Sequence, residues 1–209
     1  MTQHKVPTLT ERLQEIVELS YRILCNKVAA GSIQIPNEAS MQMQLGTILN
    51  WVGKLYELDK YDHIFVELES PKEIAETCKS KGKARCDIYV TLTNGNSKAA
   101  AAIELKHLKK DPNEAVTDNR FFVLQDLENL EQYKVVEPEL MCYEIVYTDN
   151  TNHTINKAGL TVNIGDGATS PQVLGYTQGR KVTLQGHYTF LWDMYDNGSE
   201  KHCFLKISF

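Results

Sequence analysis

RCDIYVTLTNGNSKAAAAIELKHLKK, residues 85–110, is the stretch on which the fold turns. Ile88, Val90 and Leu92 alternate with Asp87, Tyr89 and Thr91, and a period of two is the mark of a strand with two chemically different faces. Asn94-Gly95 is the strongest short hairpin signal a sequence can carry. Beyond it, four alanines and Ile103 head into a core, yet Glu104 and Lys106 arrive before the apolar pattern has ended.

The turn can be worked through. With Asn94-Gly95 as a two-residue loop, Asp87 falls opposite Ala102; with Gly95-Asn96 as the loop, it falls opposite Glu104. Either register sets Asp87, Glu104 and Lys106 on one face and Ile88, Val90, Ile103 and Leu105 on the other. A three-residue loop would turn Asp87 over. Two carboxylates beside an ammonium suit a hard divalent cation such as Mg²⁺, which shares its coordination between carboxylates, water and substrate phosphate. Such a metal polarises phosphate and activates bound water, and Lys106 would position or deprotonate that water or stabilise charge on the phosphorane.

Around this hairpin the chain reads as α/β. Residues 8–29 have apolar positions at mostly helical intervals, with Thr10 as a start. Gly31 and Pro36 mark a break, and Asn37 is a good N-cap for a second helix whose Met41, Leu45, Ile48, Val52 and Leu55 form a core-facing stripe. Residues 63–69 read as a strand, 71–85 as a charged connection, 118–134 as a helix and 141–148 as a further strand. The Asn/Thr/Gly-rich stretch 149–180 reads as a long loop of the functional kind. Residues 181–195 and 201–209 read as two closing strands joined at Asp196-Asn197-Gly198.

The pattern resembles the PD-(D/E)xK nuclease superfamily, to which most type II restriction endonucleases belong. Asp87 matches the motif's aspartate and Glu104-Leu105-Lys106 its ExK; Cys86 stands where the motif name has proline. The resemblance spans about residues 37–148 and implies a restriction-endonuclease-like mixed central sheet flanked by helices, here with a β-rich C-terminal part. The family places these residues on a central β-hairpin and often adds a glutamate from the preceding helix. Glu38 is the candidate, on that helix's inward stripe, although a first-turn carboxylate is also favoured by the helix dipole alone. The helix after the ExK strand would be 118–134.

The resemblance implies Mg²⁺-dependent cleavage of double-stranded DNA, commonly by a homodimer. Asp87, Glu104 and Glu38 would bind the metal, and Lys106 would serve the attacking water. Around them, Gln42 is a supporting residue or a plain polar helix position. Tyr89 lines the substrate cleft or packs under the second helix. The run Lys79, Lys81, Lys83 and Arg85, and His107, Lys109 and Lys110 after the ExK, contact phosphate or form solvated surface. His187, Tyr188 and Trp192 read as structural packing.

Length and composition agree with one domain over residues 1–209, which the resemblance makes a nuclease domain with a core at about 37–148 and recognition and closing strands at 149–209. The sequence has 42% hydrophobic and 23% charged residues, an ordinary globular balance. No run approaches the roughly 18 apolar residues of a membrane span. The five cysteines form no CxxC pair, which fits a reducing, cytoplasmic setting rather than a disulfide framework or zinc knuckle. A net charge of −5 gives no global attraction to nucleic acid, so any contact depends on a local basic stripe. Within the same fold, a repair or junction-resolving nuclease and a catalytically inactive DNA-binding or assembly subunit are the alternatives to a restriction enzyme.

Overall fold

The computed structural model describes residues 5–72, 84–109, 116–157, 159–175, 179–198 and 200–209. Helix α1 covers Leu9–Ala29 and α2 Glu38–Leu55. Strands β1 (Asp62–Lys72), β2 (Ala84–Asn94) and β3 (Ser97–His107) follow, then α3 (Val116–Val136) and β4 (Met141–Thr148). The C-terminal part adds β5 (Val173–Gly175), β6 (Lys181–Thr183), β7 (Trp192–Asp196) and β8 (Lys201–Ser208). Among the described residues no helix is long and apolar enough to cross a membrane.

Six strands form one mixed sheet in the order β1-β2-β3-β4-β8-β7. The first three are an antiparallel meander, and β3 pairs with β4 in parallel. A parallel neighbour needs a crossover, which α3 supplies. β8 and β7 close the sheet antiparallel, while β5 and β6 form a separate two-stranded ribbon.

Each face of the sheet has its own core. Leu13, Val17 and Leu24 of α1 and Met41, Leu45 and Leu49 of α2 pack on Ile88, Val90, Ile103, Leu105 and Ile145. On the opposite face, α3 brings Leu124 and Leu127 against Val146 and Leu205, and Leu130 and Tyr133 against Tyr89, Ala102 and Cys142. The alanine run is explained by this arrangement: Ala99 and Ala101 join the first core, Ala100 and Ala102 the second. Small side chains there let helical layers approach a strand buried on both sides. The face of β3 carrying Glu104 and Lys106 is therefore not open; α3 covers it.

Where helices begin is decided by capping. Thr8, not Thr10, caps α1, its hydroxyl accepting from the Glu11 N–H while Glu11 returns a bond to the Thr8 N–H. Asn37 caps α2 through its side-chain oxygen and the Ser40 N–H, 2.8 Å. Two glycines then bring α2 close to β1: a methyl on Gly53 would come within 2.5 Å of Ile64, and one on Gly46 within 3.1 Å of Leu68. At the N-terminal end of β1, Arg12 of α1 forms a buried ion pair with Asp62, 2.6 Å.

The closing segment departs from expectation. Residues 181–195 do not form one strand: β6 belongs to the ribbon, β7 begins only at Trp192, and 184–191 are irregular apart from a bridge at Thr189. The cause lies on α3, where Glu131 accepts from the Gln185 and Gly186 N–H groups and the Tyr188 hydroxyl, drawing this backbone out of the sheet. The 149–180 stretch is also partly core, with Val162, Ile164 and Ala168 buried beneath it.

Candidate active site

The hairpin closes through Gly95-Asn96, with Asn94 paired to Ser97 and Gly95 in the left-handed region at φ 56°. This register points Asp87 toward Glu104. The ladder holds as far as Ile88↔Ile103, after which Asp87 uses its carboxylate in place of a strand bond. Its Oδ2 accepts from the Leu105 N–H at 2.7 Å. The disturbance continues into β1, where Glu69 adopts a positive φ of 52° and drops out of the otherwise regular β1–β2 pairing.

Glu104 is buried on the α3 side, where the Tyr133 hydroxyl donates to its Oε1 at 2.9 Å. Two residues on, Lys106 Nζ lies 3.0 Å from Asp126 Oδ2 on α3 and 3.4 Å from Glu38 Oε2 at the first turn of α2. Lys106 thus ties together helices from the two opposite faces of the sheet. The same Glu38 oxygen accepts from the His107 N–H at 3.2 Å, fastening the start of α2 to the end of β3. One turn along α2, Gln42 donates to the Asp87 carbonyl at 2.7 Å and to Glu69 at 3.0 Å.

Glu144 completes the group. It is the parallel register partner of Glu104 on β4, it is fully buried, and neither of its oxygens has a hydrogen-bond partner. Lys106 is therefore set among Glu38, Asp87, Glu104, Asp126 and Glu144. Removal from water, with carboxylate neighbours adding to it, shifts the acids upward: Asp87 is pushed up to about 6 and Asp126 to about 7. Burial does the same to Glu104 and Glu144, each further raised by the Asp126 carboxylate. Burial works against the charge on Lys106, but Asp126, Glu38 and Glu144 outweigh it and its pKa is raised.

The site thus gathers Asp87, Glu104, Lys106, Glu38 and Gln42. The remaining candidates stand differently. Tyr89 packs on the α3 side rather than under α2, and its hydroxyl donates to Glu137 and accepts from Lys98. The reason is alternation: Tyr89 pairs with Ala102, whose side chain also faces α3. Arg85 and Lys109 are exposed, and His107 is half-buried with its ring stacked on Tyr147, centroids 5.2 Å apart. Lys79, Lys81, Lys83 and Lys110 lie outside the described residues.

Asp126, Tyr133 and Glu144 are members of the site that sequence reasoning passes over. Signals for them exist. Asp126 and Tyr133 share the stripe of Val123 and Leu130 at steps of three and four, and Glu144 is a lone acid within an apolar strand.

Hard oxygen donors in a buried setting fit a divalent cation. The unpartnered oxygens of Glu144 and the upward-shifted acids point the same way, since a bound cation would relieve both. As the side chains stand, no three or more Asp, Glu, His or Cys among the described residues have metal-holding spacing. A cation would therefore have to draw them together by side-chain rotation. Comparison with protein-family models, with curated proteins and with solved structures finds no match to this chain.

Proposed function

We propose that the chain is a Mg²⁺-dependent endodeoxyribonuclease with a restriction-endonuclease-like fold, hydrolysing phosphodiester bonds in double-stranded DNA as a PD-(D/E)xK enzyme does. The observation that carries this reading is the meeting of Asp87, Glu104 and Lys106 on one hairpin with Glu38 and Gln42 of the preceding helix. A small type II restriction enzyme working in the cytoplasm, commonly a dimer, is its simplest form.

In this reading Asp87 and Glu104 supply the carboxylates that hold the metal, which when bound polarises the scissile phosphate and makes water a better nucleophile. Asp87 is oriented by the Leu105 N–H and Glu104 by the Tyr133 hydroxyl. Lys106, whose carboxylate neighbours hold it protonated, acts as a cation on developing phosphorane charge and not as the base that takes the water's proton. Asp126 and Glu38 aim it. The polar 149–180 segment and the C-terminal strands are the candidates for groove contact. The net charge of −5 makes non-specific DNA binding weak and steeply salt-dependent.

Two observations favour a second reading, a nuclease-fold subunit without cleavage: Lys106 is already paired with two carboxylates, and Asp87 Oδ2 already accepts from the Leu105 N–H. Incubation with long, mixed-sequence, unmethylated duplex in Mg²⁺ or EDTA separates the possibilities. Discrete Mg²⁺-dependent fragments support the restriction enzyme. A smear, or cutting confined to junctions, moves the role to a non-specific or repair nuclease. Intact substrates throughout leave the inactive subunit.

A further inference from the structure

Beside Asp87 and Glu104 stand three further carboxylates, Glu38, Asp126 and Glu144, and they differ sharply in what they already do; Asp126 is paired with Lys106 at 3.0 Å. Glu38 is 41% exposed, and its Oε2 is shared between Lys106 and the His107 N–H. Glu144 has no solvent exposure and no partner for either oxygen. Leaving a buried carboxyl without a partner is costly, and more so when it is charged. An apolar residue would fill the position in β4 at no such cost, as Cys142 and Val146 do on the same face.

Glu144 stands beside Glu104 as its parallel partner, and both project to the side covered by α3. Adjacent strands lie about 4.8 Å apart, so two carboxyls at paired positions on one face are immediate neighbours. Lys106 lends Glu144 charge at a distance, but its close ion pairs are with Asp126 and Glu38 and it makes no hydrogen bond to either Glu144 oxygen.

We propose that Glu144 on β4 is a metal ligand, and that it completes with Asp87 and Glu104 a three-carboxylate seat for a divalent cation of the Mg²⁺ or Mn²⁺ kind, while Glu38 holds Lys106. The inference rests on the reading of the hairpin as a metal site, but not on cleavage. The carboxylates do not stand at metal-holding spacing as they are, so Glu144 would reach the cation by rotation of its side chain and Glu104 by giving up its bond from Tyr133, the ion taking the place of the missing hydrogen-bond partner of Glu144. The seat then uses the paired strands β3 and β4 and the start of β2 in place of a helix terminus.

Mn²⁺ binding to the full chain, followed by the paramagnetic resonance of the free ion and by competition with Mg²⁺, tests this without any DNA. Glu144→Gln is near in shape and removes only the charge. It is expected to lower Mn²⁺ affinity by at least about tenfold, the loss that even an outer partner of a metal gives. Glu38→Gln is expected to stay within a few-fold of wild type. Melting in EDTA serves as the folding control, and Glu144→Gln should melt no lower than wild type because it removes a buried acid. Equal Mn²⁺ affinity in wild type and Glu144→Gln overturns the proposal, as does a larger loss in Glu38→Gln than in Glu144→Gln. Mn²⁺ binding that depends on Glu144 in a protein that cuts no DNA would leave the proposal standing and remove the nuclease reading. Cleavage with Glu144-independent binding would do the reverse.

Discussion

Lys106 Nζ lies 3.0 Å from Asp126 Oδ2, a contact that joins the end of β3 to the middle of α3 and sets the direction of the Lys106 ammonium within the acid group. Asp126→Asn removes the nearer of its two partners and leaves Glu38. The expected outcome is a Lys106 drawn toward α2 and a cleavage rate lower by about 10- to 100-fold, in line with misplacing a catalytic group by an ångström or so. Single-turnover cleavage at saturating enzyme checks it. Substrate affinity unchanged beside a reduced rate marks a positioning effect.

The shifted acids fix how stability varies with pH. Asp126 and Asp87 have folded-state pKa values of about 7 and about 6, against an ordinary 3.8. In the window between these values the folded protein holds protons that the unfolded chain has released. Stability without metal therefore rises as pH falls from 8 toward 5, by on the order of a few kcal/mol at about 1.4 kcal/mol per unit. Urea midpoints in EDTA between pH 5 and 8 read this, and saturating Mg²⁺ should flatten the slope.

Asp62 acts in the opposite sense and at lower pH. The Arg12 guanidinium holds its carboxyl well below the usual range, assisted by Asn94 and the Leu58 and Asp59 N–H groups. Its contribution is present above pH 3.8 and is lost as pH falls below it. Asp62→Ala leaves Arg12 buried without its charge partner and is expected to destabilise by about 3–5 kcal/mol, measured by urea denaturation at pH 7.

Gly53→Ala tests how α2 is brought to the hairpin. The added methyl would meet Ile64 at 2.5 Å, too close for any side chain. A loss of about 1–3 kcal/mol is expected, as for overpacking elsewhere. Because α2 carries Glu38 and Gln42, activity should fall further than the folded fraction does.

How much of this was readable in the sequence varies with the kind of signal. The N-cap at Asn37, the ends of β4 at Met141 and Thr148, and the helix over most of 116–136 follow from capping and period. Asp87, Glu104 and Lys106 also follow from spacing, because either register of the hairpin puts them on one face, whereas Glu38 enters through the family resemblance and Gln42 through its place one turn along the same helix. What could not be read was long-range. Two registers were open at Asn94-Gly95-Asn96, and the chain takes the one that turns at Gly95-Asn96, with Asn94 paired to Ser97. The burial of Glu104 beneath α3 and its meeting with Tyr133 and Glu144 depend on a crossover helix whose docking angle no local pattern contains. The division of 181–195 has the same origin, since Glu131 captures that backbone from more than 50 residues away.

The most direct test of the central claim compares wild type, Glu104→Gln and Lys106→Ala on supercoiled plasmid under single-turnover conditions, each in Mg²⁺ and in EDTA. Cutting by wild type that needs Mg²⁺ and falls by at least about 100-fold in both variants is the predicted result, the scale of loss for one preorganised charge-stabilising group. Equal cutting by wild type and either variant, or cutting that persists in EDTA, would contradict the assignment of this site.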